Sequence, residues 1–218
     1  MKTALLFSGG KDSGLSALLL EPFFDEIDLV TFTFGHDEAW KVAERAAQEL
    51  GHPHRRVAFE EGVLDRALEI LISTGYPNDA LNYVHSIAIE TLAQDCEFVA
   101  DGTRRDDRAP KISYSEIRSL EDRMHVHYLR PLAGLGGKTI RAMASRYLDF
   151  EEELSMKYPA SDFEVGLRYA LAERHGEREV DRIFPGNHTH TRVIRRKSFV
   201  QEIEGQEDQA CKGIQSES

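Results

Sequence analysis

Residues 7–14 read Phe-Ser-Gly-Gly-Lys-Asp-Ser-Gly and stand between two apolar segments. The segment before them, residues 3–7, has the composition of a short buried strand, and residues 15–20 continue as an apolar helix. Gly9 and Gly10 can adopt positive φ angles and expose backbone N–H groups, because no Cβ atom stands in the way. A helix that starts directly after them points its unpaired N–H groups and the positive end of its dipole into the loop. The stretch therefore predicts an anion cradle, whose natural ligand is phosphate.

The length and composition indicate one large domain, with or without a small appendage. The chain has 218 residues, of which 41% are hydrophobic and 30% are charged. No apolar run reaches the ~18 residues that a membrane-spanning helix needs, and the early first strand argues against a secretory signal. The two cysteines, Cys96 and Cys211, form neither a disulfide framework nor a Cys-x-x-Cys zinc site. We therefore expect a cytoplasmic protein without a membrane segment.

The net charge of −11 argues against broad nucleic-acid binding, because such binding depends on cation–phosphate attraction. Residues 201–218 carry five acids and one base, a net −4, so the other 200 residues carry −7. A tRNA partner would therefore need a local basic patch. The densest such patch consists of Arg192, Arg195, Arg196 and Lys197. These cations would meet RNA phosphates, a nucleotide or the protein's own acids.

Segments of strand-like and helix-like composition alternate along the chain. The predicted strands are residues 3–7, 27–34, 54–59, 96–100 and 124–129. The predicted helices are residues 15–20, 38–50, 62–75, 79–94 and 138–150. This alternation predicts an α/β fold, a Rossmann-like, doubly wound and mostly parallel five-stranded sheet with helices on both faces. Ligands bind at the carboxyl ends of the strands in such sheets, so the loops after the first and fourth strands should be neighbours.

The string Ser8-Gly9-Gly10-Lys11-Asp12-Ser13, directly after an N-terminal strand, resembles the signature of the N-type PP-loop ATP pyrophosphatases. This superfamily of adenine nucleotide alpha hydrolase-like proteins includes asparagine synthetase, GMP synthetase, NAD synthetase and several tRNA-modifying enzymes. The Gly-x-x-x-x-Gly-Lys-Ser/Thr spacing of a Walker loop is absent. The resemblance covers roughly residues 1–150. It implies that the six quoted residues bind ATP, and that Lys11 and Asp12 also act in catalysis.

A second motif, Gly102-Thr103-x-x-Asp106-Asp107, resembles the Gly-His/Thr-x-x-Asp-Asp segment that follows the fourth strand in the same superfamily. The resemblance implies that Gly102 and Thr103 contact the nucleotide. Chemistry at the α-phosphorus of ATP needs Mg²⁺ to neutralise the triphosphate, and carboxylates at this sheet edge would hold the ion. We expect Asp12, Asp106 and Asp107 as metal ligands, with Asp107 also in catalysis. The alternative is a charged loop in which the neighbouring arginines pair with the last two aspartates.

Four further residues are candidates for contacts with the ligands. A cation at Lys138 would bind departing pyrophosphate, since a lysine at a helix N-terminus is unfavourable for the helix itself; a surface lysine is the alternative. Phe34, at the end of the predicted second strand, is a candidate adenine contact, although a core phenylalanine is equally consistent with its position. His188 and His190 would face the same way in an extended segment, but no cysteine or carboxylate at finger-like spacing accompanies them. Contact with substrate is therefore a better interpretation of the two histidines than zinc binding, and their role stays open.

We expect three parts: an ATP-binding domain, a small extension for substrate or packing, and an acidic disordered tail, at residues 1–150, 151–200 and 201–218. The three consecutive glutamates at residues 151–153 are predicted to lie on a solvated helix face. Residues 162–175 are predicted to be helical, with Ser161 or Asp162 as the N-cap. Residues 189–199 are polar, basic and β-prone.

The resemblance implies adenylation, in which an acceptor oxygen attacks the α-phosphorus of ATP, pyrophosphate leaves, and a nucleophile displaces AMP. A glutaminase domain does not fit within this length, so nitrogen would come as free ammonia or from a partner protein. Sulfur chemistry is disfavoured, because Cys96 begins its strand at the end opposite the active edge and Cys211 lies among carboxylates that discourage a thiolate. We therefore expect a ligase that transfers ammonia or another small nucleophile to an unidentified small molecule.

Two alternative functions stay open. One is a tRNA-modifying PP-loop enzyme, thiolation-like or lysidine-like, that docks tRNA through residues 192–197. The other is a regulatory protein that binds a nucleotide without turnover. Pyrophosphate release separates the enzymes from the regulatory protein, and turnover stimulated by tRNA separates the two enzymes. A homodimer is compatible with each of them.

Overall fold

Five parallel strands form the central sheet of the computed structural model, which describes residues 1–35, 38–154, 162–184 and 189–198. They are β1 (Lys2–Leu6), β2 (Glu26–Thr33), β3 (His54–Ala58), β4 (Phe98–Ala100) and β5 (His127–Leu129). Their order is β3-β2-β1-β4-β5, so β1 pairs with β2 on one side and with β4 on the other. The strand order reverses between β1 and β4, which is where such sheets bind their ligands. The predicted α/β class and the parallel five-stranded sheet are confirmed.

The inner strands β1 and β2 are largely apolar because both faces of the sheet are covered there. Every residue of β2 except the first is buried, as is typical of a parallel strand packed on both sides. Alternate residues contribute to opposite faces: Leu5 and Leu29 belong to one core cluster, whereas Ala4 and Val30 belong to another.

Eight helices surround the sheet within the described ranges. They are α1 (Lys11–Leu20), α2 (Trp40–Leu50), α3 (Val63–Thr74), α4 (Pro77–Ala93), α5 (Tyr114–Met124), α6 (Gly137–Tyr147), α7 (Phe163–His175) and α8 (Glu177–Ile183). Helices α1, α2 and α6 pack on one face, and α4 and α5 pack on the other. A third core cluster lies between α3, α4, α7 and α8. None of the helices in the described residues is long and apolar enough to cross a membrane.

A separate two-stranded antiparallel sheet consists of β6 (Leu148–Leu154) and β7 (Thr189–Arg196), with α7 and α8 between them in the chain. Glu151 pairs with Arg192 across it. The prediction that the glutamates of residues 151–153 lie on a helix is therefore wrong, since cross-strand pairing with basic residues favours a strand. The helix α6 ends at Tyr147 rather than at residue 150, because Leu148 is already extended. The predicted domain boundary at residue 150 lies within β6.

Helix α5 is absent from the sequence-based prediction, although its start carries a capping box. Ser113 Oγ accepts the N–H of Glu116 at 3.3 Å, and the Glu116 carboxylate accepts the N–H of Ser113 at 2.8 Å. Only Leu120 of this helix is buried, so its apolar period is weak. His125 adopts the left-handed conformation, with φ of 55°, and ends the helix. The fifth strand therefore begins at His127 and not at residue 124.

Helix α7 begins at Phe163, one residue after the predicted start, ends at His175 as predicted, and has one of its two predicted caps. Asp162 Oδ1 accepts the N–H of Val165 at 2.9 Å, which is the N-cap bond. Ser161, the other candidate cap, lies outside the described residues, as do His188, Cys211 and the tail from residue 201.

Candidate functional site

The loop between β1 and α1 has a backbone that exposes N–H groups. Gly9 has a φ of 75°, and Gly10, the N-cap of α1, is extended and has no side-chain capping bond. A Cβ atom on Gly9 would lie 2.8 Å from the Cα atom of Ala43 in α2, so only glycine satisfies both the φ angle and the available space. Helix α1 begins at Lys11, and the first N–H groups of this helix point back towards the loop.

Two serines brace the loop from inside. The hydroxyl oxygens of Ser8 and Ser13 are 3.2 Å apart, and Ser13 Oγ also donates to the carbonyl of Gly10 at 3.2 Å. Ser8 lines both cavities described below, and Ser13 lines the smaller one. Their hydroxyl groups therefore hold the loop in one conformation while they face a potential ligand.

Lys11 and Asp12 form an ion pair at the start of α1. Lys11 is only 8% exposed, and its Nζ atom is 3.0 Å from Oδ1 of Asp12. That oxygen is buried and receives no well-directed hydrogen bond from the described part of the chain. Burial of charged atoms without a full set of hydrogen bonds costs free energy. The unsatisfied carboxylate oxygen is an acceptor that a hydrogen-bond donor or a cation would satisfy, whereas the ammonium of Lys11 is the group of the pair that attracts an anion.

The loop after β4 packs directly against the start of α1. A Cβ atom on Gly102 would lie 3.0 Å from both the backbone N and the Cα atom of Ser13. The two predicted motifs thus meet at the reversal of strand order, and Thr103 lies at the same edge of the sheet.

Asp101 is missing from the predicted site, although it is the centre of a buried polar network. Its Oδ2 atom is 2.7 Å from Nε2 of His85 and also accepts the hydroxyl of Tyr128. Its Oδ1 atom accepts the N–H and the hydroxyl of Thr103 at 3.0 and 2.7 Å. Burial alone would raise the pKa of this carboxyl, but the hydrogen bonds from His85, Tyr128 and Thr103 lower the pKa of Asp101 below its ordinary value. Its position directly after β4 was the available sequence signal.

Arg104 lies among the three aspartates that the sequence predicts to be metal ligands. Its Nε atom is 2.6 Å from Oδ1 of Asp107 and 3.3 Å from Oδ1 of Asp106, and its Nη1 atom is 3.6 Å from Oδ2 of Asp12. Burial disfavours the charged guanidinium, but the nearby carboxylates, chiefly Asp107, raise the pKa of Arg104 above its ordinary value. Burial also raises the pKa of Asp107, in spite of its bonds to Arg104.

The carboxylates of Asp12, Asp106 and Asp107 face Arg104 in this structure, and their role as magnesium ligands stays a prediction. Across the described ranges, no three His, Cys, Asp or Glu side chains come together in a way that could hold a metal ion. Mg²⁺ requires a nearly octahedral set of oxygen ligands. Here Arg104 provides the positive charge that Asp107 faces. The pairing of Arg104 with Asp106 and Asp107 agrees with the alternative prediction of a charged loop.

Two cavities share the loop as a wall. The larger is an open cleft of about 880 Å³, which runs from the loop past the α3–α4 turn to α8 and β7. The smaller is a pocket of about 210 Å³ at the carboxyl ends of β1, β2 and β4. Aromatic rings of Phe7, Phe32 and Phe163 line the pocket, and the buried network at Asp101 closes one side. Ser8, Asp12 and Asp107 line both cavities.

Phe34 and Lys138 line neither of these two cavities. The ring of Phe34 stacks on Phe59 with centroids 4.8 Å apart, and it lies so close to Gly166 that a Cβ atom there would be 2.7 Å away. Lys138 is an exposed residue in the first turn of α6. The N–H of its neighbour Gly137 donates to Asp106 Oδ2 at 2.9 Å. Ligand contacts of Phe34 and Lys138 stay predictions.

The basic residues of β7 and its end pair with the protein's own acids. The pairs are Arg192 with Glu151 at 2.5 Å, Arg195 with Asp149 at 2.7 Å, Arg196 with Glu21 at 2.6 Å and Lys197 with Asp149 at 3.4 Å. His190 lines the cleft, and its Nδ1 atom is 2.6 Å from Oδ2 of Asp162. Burial lowers the pKa of an imidazole, but the bond to Asp162 outweighs this and raises the pKa of His190.

The fold and the site together define a class of protein: a parallel α/β domain with a glycine–serine loop at the reversal of its strand order. Residues 1–195 match a family of unknown function, DUF7411, and the chain belongs to this family. The chain is 43% identical over 194 residues to an uncharacterised protein of Methanocaldococcus jannaschii. That match covers 89% of this chain and 96% of the archaeal protein.

A solved structure and a shorter sequence match add to this comparison. The structure, described as a predicted subunit of tRNA methyltransferase from Methanocaldococcus jannaschii, is 41% identical with a TM-score of 0.82. The alignment covers 91% of this chain and 98% of that chain. A segment of 55 residues is 40% identical to 7-cyano-7-deazaguanine synthase of Staphylococcus aureus, over 24% of this chain and 25% of that enzyme. These likenesses support the resemblance to the PP-loop superfamily, whereas the N-type assignment stays a prediction.

Proposed function

We propose that this protein binds ATP at residues 8–13 and transfers its adenylyl group to an acceptor oxygen, with release of pyrophosphate. One observation carries the proposal: the charged start of α1, with buried Lys11 beside Asp12, lies between a small aromatic pocket and a large open cleft. In the proposed complex the pocket takes the adenine, the loop takes the phosphates, and the cleft admits the acceptor. The match to 7-cyano-7-deazaguanine synthase supports an enzyme over a purely structural protein.

The residues of the site provide positive charge where the reaction develops negative charge. As the acceptor oxygen bonds to the α-phosphorus and the bond to the bridging β-phosphate oxygen breaks, charge builds on the phosphate oxygens. The first N–H groups of α1 and the ammonium of Lys11 stabilise that charge. Arg104, whose pKa is raised, stays cationic throughout the accessible pH range and faces the same space. Lys138 would assist only departing pyrophosphate at the rim.

Magnesium is part of the proposal only as a companion of ATP. A bound Mg²⁺ ion would neutralise part of the triphosphate charge. Its predicted ligands, Asp12, Asp106 and Asp107, are engaged with Arg104 in this structure. We therefore assign no chemical step to the metal.

The acceptor is proposed to bind in the outer part of the cleft and then to react with ammonia or another small nucleophile, which displaces AMP. The α3–α4 turn, α8 and β7 form this part of the wall, with Tyr76, Asn78, Asp181 and His190 among its polar residues. Their mixed donors, acceptors and charges suit a polar small molecule better than an apolar one.

The products of ATP turnover test the proposal. The protein is incubated with ATP labelled at the α-phosphate, ammonium chloride and pools of small polar metabolites, and AMP, ADP and pyrophosphate are measured. We expect AMP and pyrophosphate in equal amounts. The variants Ser8→Ala, Asp12→Ala and Asp107→Ala should lose turnover, whereas Asp95→Ala, at an exposed residue far from the loop, should not. ADP as the sole nucleotide product would refute the proposal.

A second candidate function, tRNA modification, is favoured by the description of the archaeal relative as a predicted subunit of tRNA methyltransferase. In that case tRNA, and not a metabolite, stimulates the release of pyrophosphate. Alanine variants at Arg192 and Arg195 test the docking patch. Weaker tRNA binding in these variants would support docking there. Unchanged binding would show that the arginines stay paired with Glu151 and Asp149. ATP binding without any turnover would favour the regulatory alternative.

A further inference from the structure

The strand β7 supplies a wall of the phosphate loop from the far end of the chain. The N–H of Val193 donates to the carbonyl of Gly9 at 2.8 Å, so the strand is bonded to the loop through the main chain. The hydroxyl oxygen of Thr191 accepts the N–H of Lys11 at 3.1 Å. This N–H is one of the groups at the start of α1 that an anion could otherwise use, and the Thr191 hydroxyl occupies it.

Close steric contacts hold β7 against the loop of residues 8–13 and the start of α1. A Cβ atom on Gly10 would lie 3.2 Å from the carbonyl oxygen of Thr191 and 3.3 Å from its hydroxyl oxygen. A Cβ atom on Gly14 would lie 2.9 Å from Cγ2 of Val193. Thr191 and Val193 are thus held against the loop and the helix by main-chain bonds and by close packing, and Thr191 cannot move away without displacing the strand.

The hydroxyl of Thr191 can also act as a hydrogen-bond donor. A threonine hydroxyl carries one hydrogen and two acceptor lone pairs. The N–H of Lys11 occupies one lone pair, so the hydroxyl can rotate its hydrogen towards another acceptor. Thr191 lines the larger cleft together with Ser8, Gly10 and Lys11, so this hydrogen is available to a ligand bound there.

We propose that Thr191 is a polyphosphate-binding residue, whose hydroxyl accepts from the Lys11 N–H and donates to a phosphate oxygen of the bound nucleotide. This inference rests on the proposed ATP site. It makes the nucleotide site composite, with one wall from the start of the chain and one from β7. The chemical class of ligand is a polyphosphate, as in ATP or free pyrophosphate, because the partner must accept several hydrogen bonds at one point.

The test compares pyrophosphate, ATP and adenosine binding to full-length variants by calorimetry. Thr191→Val keeps the shape of the side chain and removes the hydroxyl, and Thr191→Ser keeps the hydroxyl. We expect Thr191→Val to weaken ATP and pyrophosphate binding about tenfold, since hydrogen bonds to charged groups are strong. Adenosine has no phosphate and should bind equally well to Thr191→Val and to the wild-type protein. Thr191→Ser should bind ATP, pyrophosphate and adenosine as the wild-type protein does. Thr139→Val, at an exposed position of α6, is the matched control.

The outcomes separate this inference from the function on which it rests. If wild-type protein binds neither ATP nor pyrophosphate, both are refuted. If wild-type protein binds them and Thr191→Val binds them equally well, only the role of Thr191 is refuted. An equal loss of adenosine and pyrophosphate binding in Thr191→Val would show a structural effect of the substitution and would also refute the role.

Discussion

Asp101 shows how one buried carboxylate can hold a loop of the candidate site. It is almost completely buried and receives hydrogen bonds from the backbone and the hydroxyl of Thr103, while His85 and Tyr128 bind its other oxygen. Such a group is stable in the interior only when its lone pairs are satisfied. Because Thr103 stands beside Gly102, the same bonds keep the β4 loop against α1.

The substitution Asp101→Asn should destabilise the protein by about 3 kcal/mol, because the amide places an N–H group opposite existing donors and leaves buried groups unsatisfied. Urea unfolding at neutral pH measures this loss. The change Asp95→Asn, at an exposed residue, should leave the free energy of unfolding nearly unchanged. Equal stability of the two variants would contradict the role of the network.

His190 should give the protein a pH-dependent stability. Its folded-state pKa is raised above the ordinary value of 6.5 through the bond to Asp162, so its contribution is fully present below pH 6.5 and is lost as the pH rises through the folded pKa. The stability difference between wild-type protein and His190→Gln should therefore shrink across that range in urea unfolding. In an Asp162→Asn background this dependence on pH should be absent; its persistence would contradict the assignment.

At the scale of elements, the contact between the loop and α2 requires a glycine for two separate reasons. Gly9 has a positive φ angle, and a Cβ atom there would clash with the backbone of Ala43. Gly51 also has a positive φ angle, but a Cβ atom there would have no neighbour within 4 Å. An alanine at position 51 would therefore suffer backbone strain alone, whereas an alanine at position 9 would suffer the same strain and a steric clash.

We expect Gly51→Ala to cost about 1 kcal/mol, which is the strain of a left-handed alanine. Gly9→Ala should cost about 3 kcal/mol, because overpacking adds to the same strain, and it should abolish ATP binding. Thermal unfolding and calorimetry measure the two effects. Similar losses in both variants would show that the close approach to Ala43 does not matter.

The elements also show what one sequence can and cannot predict. The loop at residues 8–13 and the motif at residues 102–107 were predictable, because each is a local string next to an apolar strand. The strand at β6 was not, since three consecutive glutamates suggest a solvated helix until Arg192 is placed opposite Glu151. The role proposed for Thr191 has no local signal either, because its bond to Lys11 joins residues 180 positions apart.

At the scale of the molecule, several layers of the fold contribute to the proposed nucleotide site. The sheet edge, α1, the β4 loop and β7 all contribute atoms to it. A ligand that binds only the assembled site therefore stabilises every part that must be in place.

ATP at 100 times its dissociation constant should raise the free energy of unfolding by about 2.7 kcal/mol. Thermal unfolding with increasing ATP measures this linkage in the wild-type protein. Adenosine at the same absolute concentration is the control and should shift the midpoint less, because it cannot use the loop. An absence of any shift with ATP would contradict the proposed nucleotide site.

The bond between Val193 and Gly9 has a consequence for the synthesis of the protein. The loop leaves the ribosome near the start of translation, whereas β7 follows only after on the order of ten seconds or more of further elongation. In that interval the nascent chain carries an exposed loop that lacks its closing wall. The nascent chain would thus become able to bind ATP only after β7 has been synthesised. A translation product that lacks β7 would not bind the nucleotide.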